Sequence, residues 1–102
     1  MFQKNIIGLD IDDKKTGKEL LRILRILKIN GKYRTSSSKR GFHFKLNVGS
    51  HTKQENLKIR YMLGDCYGRW RTDIRRLQNG VNHFDVLFDT KKGLSSGKWK
   101  KI

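Results

Sequence analysis

The chain has no proline and no alanine, a single cysteine, and little acid: 9 Asp and Glu stand against 24 Lys and Arg in 102 residues. Each shortage excludes something. One thiol, Cys66, rules out an internal disulfide and a cysteine-rich zinc site, and it fits a reducing compartment. No apolar run approaches the ~20 residues of a membrane-spanning helix, and the N-terminal stretch lacks the basic-then-apolar layout of a secretion signal. A soluble intracellular protein without membrane insertion is therefore expected. The shortage of acid leaves a net charge of +15, a field that repels itself and attracts polyanions. DNA or RNA is the first partner such a field implies, with acidic proteins and membrane surfaces behind it. Hydrophobic residues, 35% of the total, can fill one core at this length but not two.

What the sequence does contain is a pentapeptide in two forms, Gly31-Lys32-Tyr33-Arg34-Thr35 and Gly68-Arg69-Trp70-Arg71-Thr72. Each follows a segment with helical apolar spacing. Upstream, Thr16 with Glu19 and Thr52 with Glu55 form the T-x-x-E pattern, whose side chains satisfy orphan amides at a helix start. Downstream, Phe42-His43-Phe44-Lys45-Leu46 corresponds loosely to Phe84-Asp85-Val86-Leu87-Phe88. The alignment predicts two similar helix-strand-strand units, residues 16–48 and 52–89, behind an N-terminal strand. The expected fold is α+β in the order β-α-β-β-α-β-β, with helices on one face of an antiparallel-rich sheet. One domain would cover residues 1–90.

Taken in order, residues 5–12 alternate as a strand, with Ile7, Leu9 and Ile11 inward and Asp10 and Asp12 on the other side. Thr16 is expected to cap a helix reaching Lys28, with Leu20, Leu21, Leu24, Leu27 and the flanking Ile23 as its apolar stripe, stopped by Asn30-Gly31. Residues 32–37 and 41–48 read as a hairpin in which Phe42, Phe44, Leu46 and Val48 point inward. Its turn, Ser36-Ser37-Ser38-Lys39-Arg40-Gly41, has the hydroxyls, cations and glycine of a phosphate-wrapping loop, without the spacing of a P-loop. Thr52 opens a second helix. Residues 69–77 fit a strand, although Ile74, Leu77 and the intervening arginines also permit a helical turn; Phe84, Val86 and Phe88 then point inward from a last strand. Residues 91–102, rich in Lys, Gly and Ser, are expected to form a basic flexible tail.

With the helices on the rear, the open face of such a sheet collects Lys32, Arg34, Lys45, Arg69, Arg71 and Arg75, joined by Lys39 and Arg40 of the turn and by Trp99. Cations of this kind neutralise phosphates and release counterions, and Trp99 among lysines can stack on a base. No helix-turn-helix, zinc-finger or RNA-recognition signature is present, which favours backbone contact over base reading. The favoured expectation is a non-enzymatic module that engages a nucleic-acid backbone, a protein, or both, with no cofactor. A groove between the two units would also admit a protein or peptide partner, an open strand edge accepting an extended segment.

A catalytic alternative uses the same outward parity. Asp10 and Asp12, His43, and Asp89 could converge on one edge of the sheet, where paired carboxylates hold Mg²⁺ or Mn²⁺ and polarise a phosphoryl group. Leu9-Asp10-Ile11-Asp12, Ser37-Ser38-Lys39-Arg40-Gly41-Phe42-His43 and Val86-Leu87-Phe88-Asp89 resemble, in that order, the three short motifs of archaeal-eukaryotic-type primases. The resemblance implies metal binding for Asp10, Asp12 and Asp89 and nucleotide binding for His43, although such primases usually have a larger catalytic domain. Over its whole length the chain, lysine-rich and carrying a duplicated motif, also resembles small proteins of hyperthermophilic archaeal viruses. That second resemblance implies two similar motifs with a groove between them, no assigned enzymatic activity, and a place in the host cytoplasm.

Overall fold

A computed structural model describes residues 2–87, 90–91 and 94–102. It shows an α+β fold, with three helices and a four-stranded antiparallel sheet. Strand β1 (Ile6–Ile11) buries Ile7, Leu9 and Ile11 on one side, as its alternation requires. Helix α1 (Lys14–Ile26) follows. Its cap is Asp13, whose carboxylate accepts from Thr16 N at 2.9 Å and from Thr16 Oγ1 at 2.6 Å. Thr16 is thus the third residue of the helix rather than its cap, because an anion placed before it satisfies the same orphan amides. Leu21 and Leu24 lie on the buried side of β1 with Leu20 beside them, whereas Ile23 and Leu27 of the expected stripe remain exposed.

Strands β2 (Gly31–Thr35) and β3 (Phe42–Asn47) form the expected antiparallel hairpin, and β3 pairs with β1 on its other side. Phe42, Phe44 and Leu46 complete the core against α1; Val48 lies just past β3 and is exposed. Helix α2 (Lys53–Met62) begins with the full capping box: Thr52 Oγ1 accepts from Glu55 N, and Glu55 accepts from Thr52 N.

Beyond α2 the architecture departs from the duplication. Residues 69–77 belong to helix α3 (Tyr67–Gln78), so the second pentapeptide is helical where the first is a strand. Residues 82–87 are irregular rather than a strand, and Phe88 and Asp89 lie outside the described residues. The second half therefore supplies a helix and an irregular stretch where a repeat of the first would need two strands, and the hollow between the two segments, lined by Ser36–Ser38 and His43 on one side and by Cys66, Arg69, Thr72 and Arg76 on the other, does not lie between equal units. Instead α2 and α3 border the free edge of β1. There Cys66 N donates to Asp10 O, Asp65 accepts from Asp10 N, and Asp85 accepts from Gly8 N. Two carboxylates and one backbone amide thus do at this edge what a fifth strand would otherwise do.

The basic tail region is also partly built into the sheet. Strands β4 (Thr90–Lys91) and β5 (Leu94–Ser95) pair with each other, and β6 (Lys100–Lys101) pairs antiparallel with β2. Gly97 N and Ile102 N donate to Thr35 O and Gly31 O, extending that contact to both sides. The strand order is β1-β3-β2-β6. None of the helices among the described residues is long and apolar enough to cross a membrane.

Candidate functional site

Antiparallel register arranges the outward side chains in rows across the strands. Asp10 lies opposite His43, and His43 opposite Arg34; Tyr33 pairs with Lys100, which brings Trp99 alongside Arg34. Contacts run the length of this row. Arg34 Nε donates to His43 Nδ1 at 2.9 Å, its guanidinium carbon lies 4.3 Å from the centroid of the Trp99 ring, and His43 Nε2 is 3.6 Å from Asp10 Oδ1. A guanidinium only donates, so Nδ1 must accept and the ring proton sits on Nε2, on the side of Asp10. Arg34 and His43 are both buried.

At the Asp10 end of the row opens a cavity of about 430 Å³. Glycine at position 41 makes its rim possible. A Cβ there would stand 1.9 Å from Ile11 O, so only glycine lets β3 begin against the end of β1. That approach places the Ser36–Ser38 turn beside Asp12, with Ser36 Oγ accepting from Gly41 N and lying 3.2 Å from Ser38 Oγ. Asp10, Asp12, His43, Cys66 and the three serines line the cavity together with Arg69, Arg76, Val86 and Leu87.

Ligand atoms of Asp10, Asp12 and Cys66 lie within 4.8 Å of one another. Burial, and then the neighbouring Asp12, push the Asp10 carboxyl up to about 6, against the opposing pull of Arg69. One of its oxygens, Oδ1, is buried without a hydrogen-bond partner. Burial also pushes the Cys66 thiol up, which keeps it protonated and a poor ligand. The donor set that remains is two carboxylates close enough to repel. A hard divalent cation held by Asp10 and Asp12 would relieve that repulsion, so the residues fit Mg²⁺ or Mn²⁺.

Behind the cavity lies a second charged group of the opposite character. Arg60, fully buried, donates to Asp65 Oδ2 and Asp73 Oδ2, each at 2.8 Å, and to Asn56 Oδ1 at 3.1 Å. Arg69 bridges Asp65 at 2.8 Å, Asp85, and the backbone oxygen of Gly8 at 3.0 Å. Burial alone would lower the Arg69 pKa, but Asp65 and then Asp85 outweigh it and hold the group above its ordinary value. Gly8 leaves the room: a Cβ there would lie 2.7 Å from Asp85 Oδ1.

The expected cationic platform is therefore divided. Lys32 and Lys45 do occupy the outer sheet face, and Lys39 and Arg40 are exposed in the turn. Arg34 is on that face but buried, committed to His43 and Trp99. Arg69 is internal, and Arg71 and Arg75 are exposed on α3, off the sheet, because their segment is helical. Trp99 holds Arg34 and Lys45 near its ring, 4.3 and 5.0 Å from the centroid. Of the catalytic alternative, Asp10, Asp12 and His43 converge; Asp89 lies outside the described residues.

Sequence reasoning missed Arg60, Asp65, Asp73 and Asp85. The available signal was Asp65, Arg69, Asp73 and Arg76, charges of alternating sign at intervals of three and four, which is a helical spacing. Family models, curated proteins and solved structures offer no match to this chain.

Proposed function

We propose that the cavity binds the phosphates of a nucleotide together with a divalent cation, and that the chain is a small metal-dependent nucleotidyl-transfer module of the primase-like kind. One observation carries this reading: Asp10 and Asp12, His43 and the Ser36–Ser38 turn, far apart in sequence, line one cavity in which a carboxylate oxygen is buried without a partner. Asp10 and Asp12 would hold the cation, which when bound supplies Lewis acidity toward a phosphoryl oxygen. His43, its proton fixed on Nε2 by Arg34, offers a neutral donor to a phosphate oxygen rather than a base. The serine hydroxyls and the exposed Lys39 and Arg40 add donors and positive charge at the rim. Arg34 acts through His43 as a positioning residue.

The reading is tested by incubating the protein with Mn²⁺ or Mg²⁺, labelled nucleoside triphosphates and a single-stranded oligonucleotide. Metal-dependent incorporation is expected, lost at least a hundredfold in Asp10→Asn, an isosteric change that removes the charge and leaves the strand intact. Absence of incorporation by the wild type across divalent metals, combined with absence of nucleotide binding by calorimetry, would overturn it.

A further inference from the structure

We infer that a single-stranded nucleic acid crosses the outer face of the sheet along a second row of side chains, Lys45, Lys32 and Lys101, which delivers it to the cavity. The inference rests on the nucleotidyl-transfer reading for the role of the strand, and on separate observations for its path. Lys32 lies directly opposite Lys45 on β3 and directly opposite Lys101 on β6. Like charges facing one another across strands are destabilising, and among the described residues no carboxylate lies within ion-pair distance of any of the three. A row that folding disfavours is stabilised by a polyanion.

Its position gives the row a direction. It is the next outward row after Asp10, His43 and Arg34, two residues along each strand, which at 3.3 Å per residue is roughly 7 Å away. Adjacent hollows share their walls. The Asp10 cavity shares Val86 and Leu87 with a hollow of about 200 Å³ over Gly8 and Lys45. That hollow shares Lys45 with another of about 540 Å³ bounded by Trp99 and Lys101. Neighbouring hollows with lysines at one end and Asp10 and Asp12 at the other, the Asp85 carboxylate between them being already bound to Gly8 N, Asn56 and Arg69, suit a flexible phosphate chain whose terminus reaches the metal-binding pair. Three lysines on neighbouring strands span only about 10 Å at 4.8 Å per strand, a short run that a single strand, free to bend toward the cavity, follows more readily than a stiff duplex.

The test is fluorescence anisotropy with labelled 20-nucleotide oligothymidylate, oligouridylate and a blunt hairpin duplex, between 50 and 200 mM salt. The triple variant Lys32→Gln, Lys45→Gln, Lys101→Gln should bind both single strands at least tenfold more weakly at 50 mM salt. Its slope of log affinity against log salt should fall by about two, at ~0.7 for each phosphate that the variant no longer neutralises. Its melting temperature should match or exceed that of the wild type, because like-charge repulsion has been removed. A control of equal charge change, Lys14→Gln, Lys18→Gln, Arg22→Gln, lies on α1 at the other side of the sheet and should lose far less. Equal losses in the two triples, or a duplex that binds as tightly as the single strands, would overturn the path. Mn²⁺-nucleotide binding is followed in parallel with Asp10→Asn. If that binding is absent while the lysine triple still loses the oligonucleotide, the nucleotide reading fails and the path stands.

Discussion

Two groups of charged side chains flank the first strand, and they are built to opposite ends. Around Arg60, every carboxylate finds several donors. Asp65 accepts from Asp10 N, Arg60 and Arg69; Asp73 from Arg60, Arg76 and Asp85 N; Asp85 from Gly8 N, Asn56 and Arg69. Arg60 itself leaves one nitrogen, Nη2, without a protein partner and lies 5.7 Å from the Phe84 ring centroid. This group replaces a missing strand at the edge of the sheet and fixes α2 and α3 against it. Around Asp10, in contrast, the neighbouring acid is Asp12, within 4.8 Å and exposed, and Asp10 Oδ1 is buried with no hydrogen-bond partner. Each group holds one orphaned polar atom, but in the first every acid is matched by a cation, which reads as architecture, whereas in the second two acids adjoin beside a cavity, which reads as a place for a ligand.

The contrast between the two groups breaks most visibly at Arg60. Arg60→Met should destabilise the fold by about 3–5 kcal/mol in chemical denaturation, since it removes the one fully buried cation that Asp65 and Asp73 share and leaves each in the interior with a single, less buried arginine. A loss below about 1 kcal/mol would mean that the cluster does not hold the helices. Arg34→Met, in the other group, should destabilise by about 2 kcal/mol, from the unpaired His43 nitrogen and the removal of the cation from the Trp99 ring. It should also free the His43 tautomer, visible in the ring-nitrogen shifts, and weaken nucleotide binding about tenfold. Arg60→Met assayed well below its melting point should leave the tautomer alone.

The smallest effect carries a sign. In the folded chain Asp10 ionises near 6 rather than 3.8, so between those values the native state binds more protons than the unfolded one. Its contribution to stability is therefore present below the ordinary carboxylate pKa and is lost as pH rises through about 6. Asp10→Asn should accordingly be more stable than the wild type at pH 8, by about 1 kcal/mol, with the difference vanishing near pH 4. Saturating Mn²⁺ should close the gap at pH 8 by stabilising the wild type alone. A gap that widens on acidification would place the titration elsewhere.

Much of the first half was legible because its elements announce themselves locally. Ile7, Leu9 and Ile11, or Phe42, Phe44 and Leu46, alternate over a length that only a strand accommodates, and Thr52 with Glu55 forms a capping box needing no distant partner. The conjunction of Asp10, Asp12, the serine turn and His43 was also legible, since outward parity on two strands sets it once those strands pair in register. The two pentapeptides mark where local reading stops. Gly31 to Thr35 and Gly68 to Thr72 share residue types, yet the first pairs with β3 and the second lies on a helix that turns Arg69, and Asp73 just after it, toward Asp65 and Arg60. A short run of alternating cations and aromatics satisfies either period, and the partner decides between them.

By itself, the sequence determined the α+β class, the first strand, the β2–β3 hairpin, the second helix start and the carboxylates at the end of the first strand, because each depends on period or spacing within a few residues. Tertiary structure alone decided which cations are internal, that the third helix replaces a hairpin, and that the C-terminal residues return beside β2 to hold Trp99 over Arg34. The reason is physical: a charged side chain is written identically whether it meets water or a buried counter-ion, and only the assembled chain supplies one or the other.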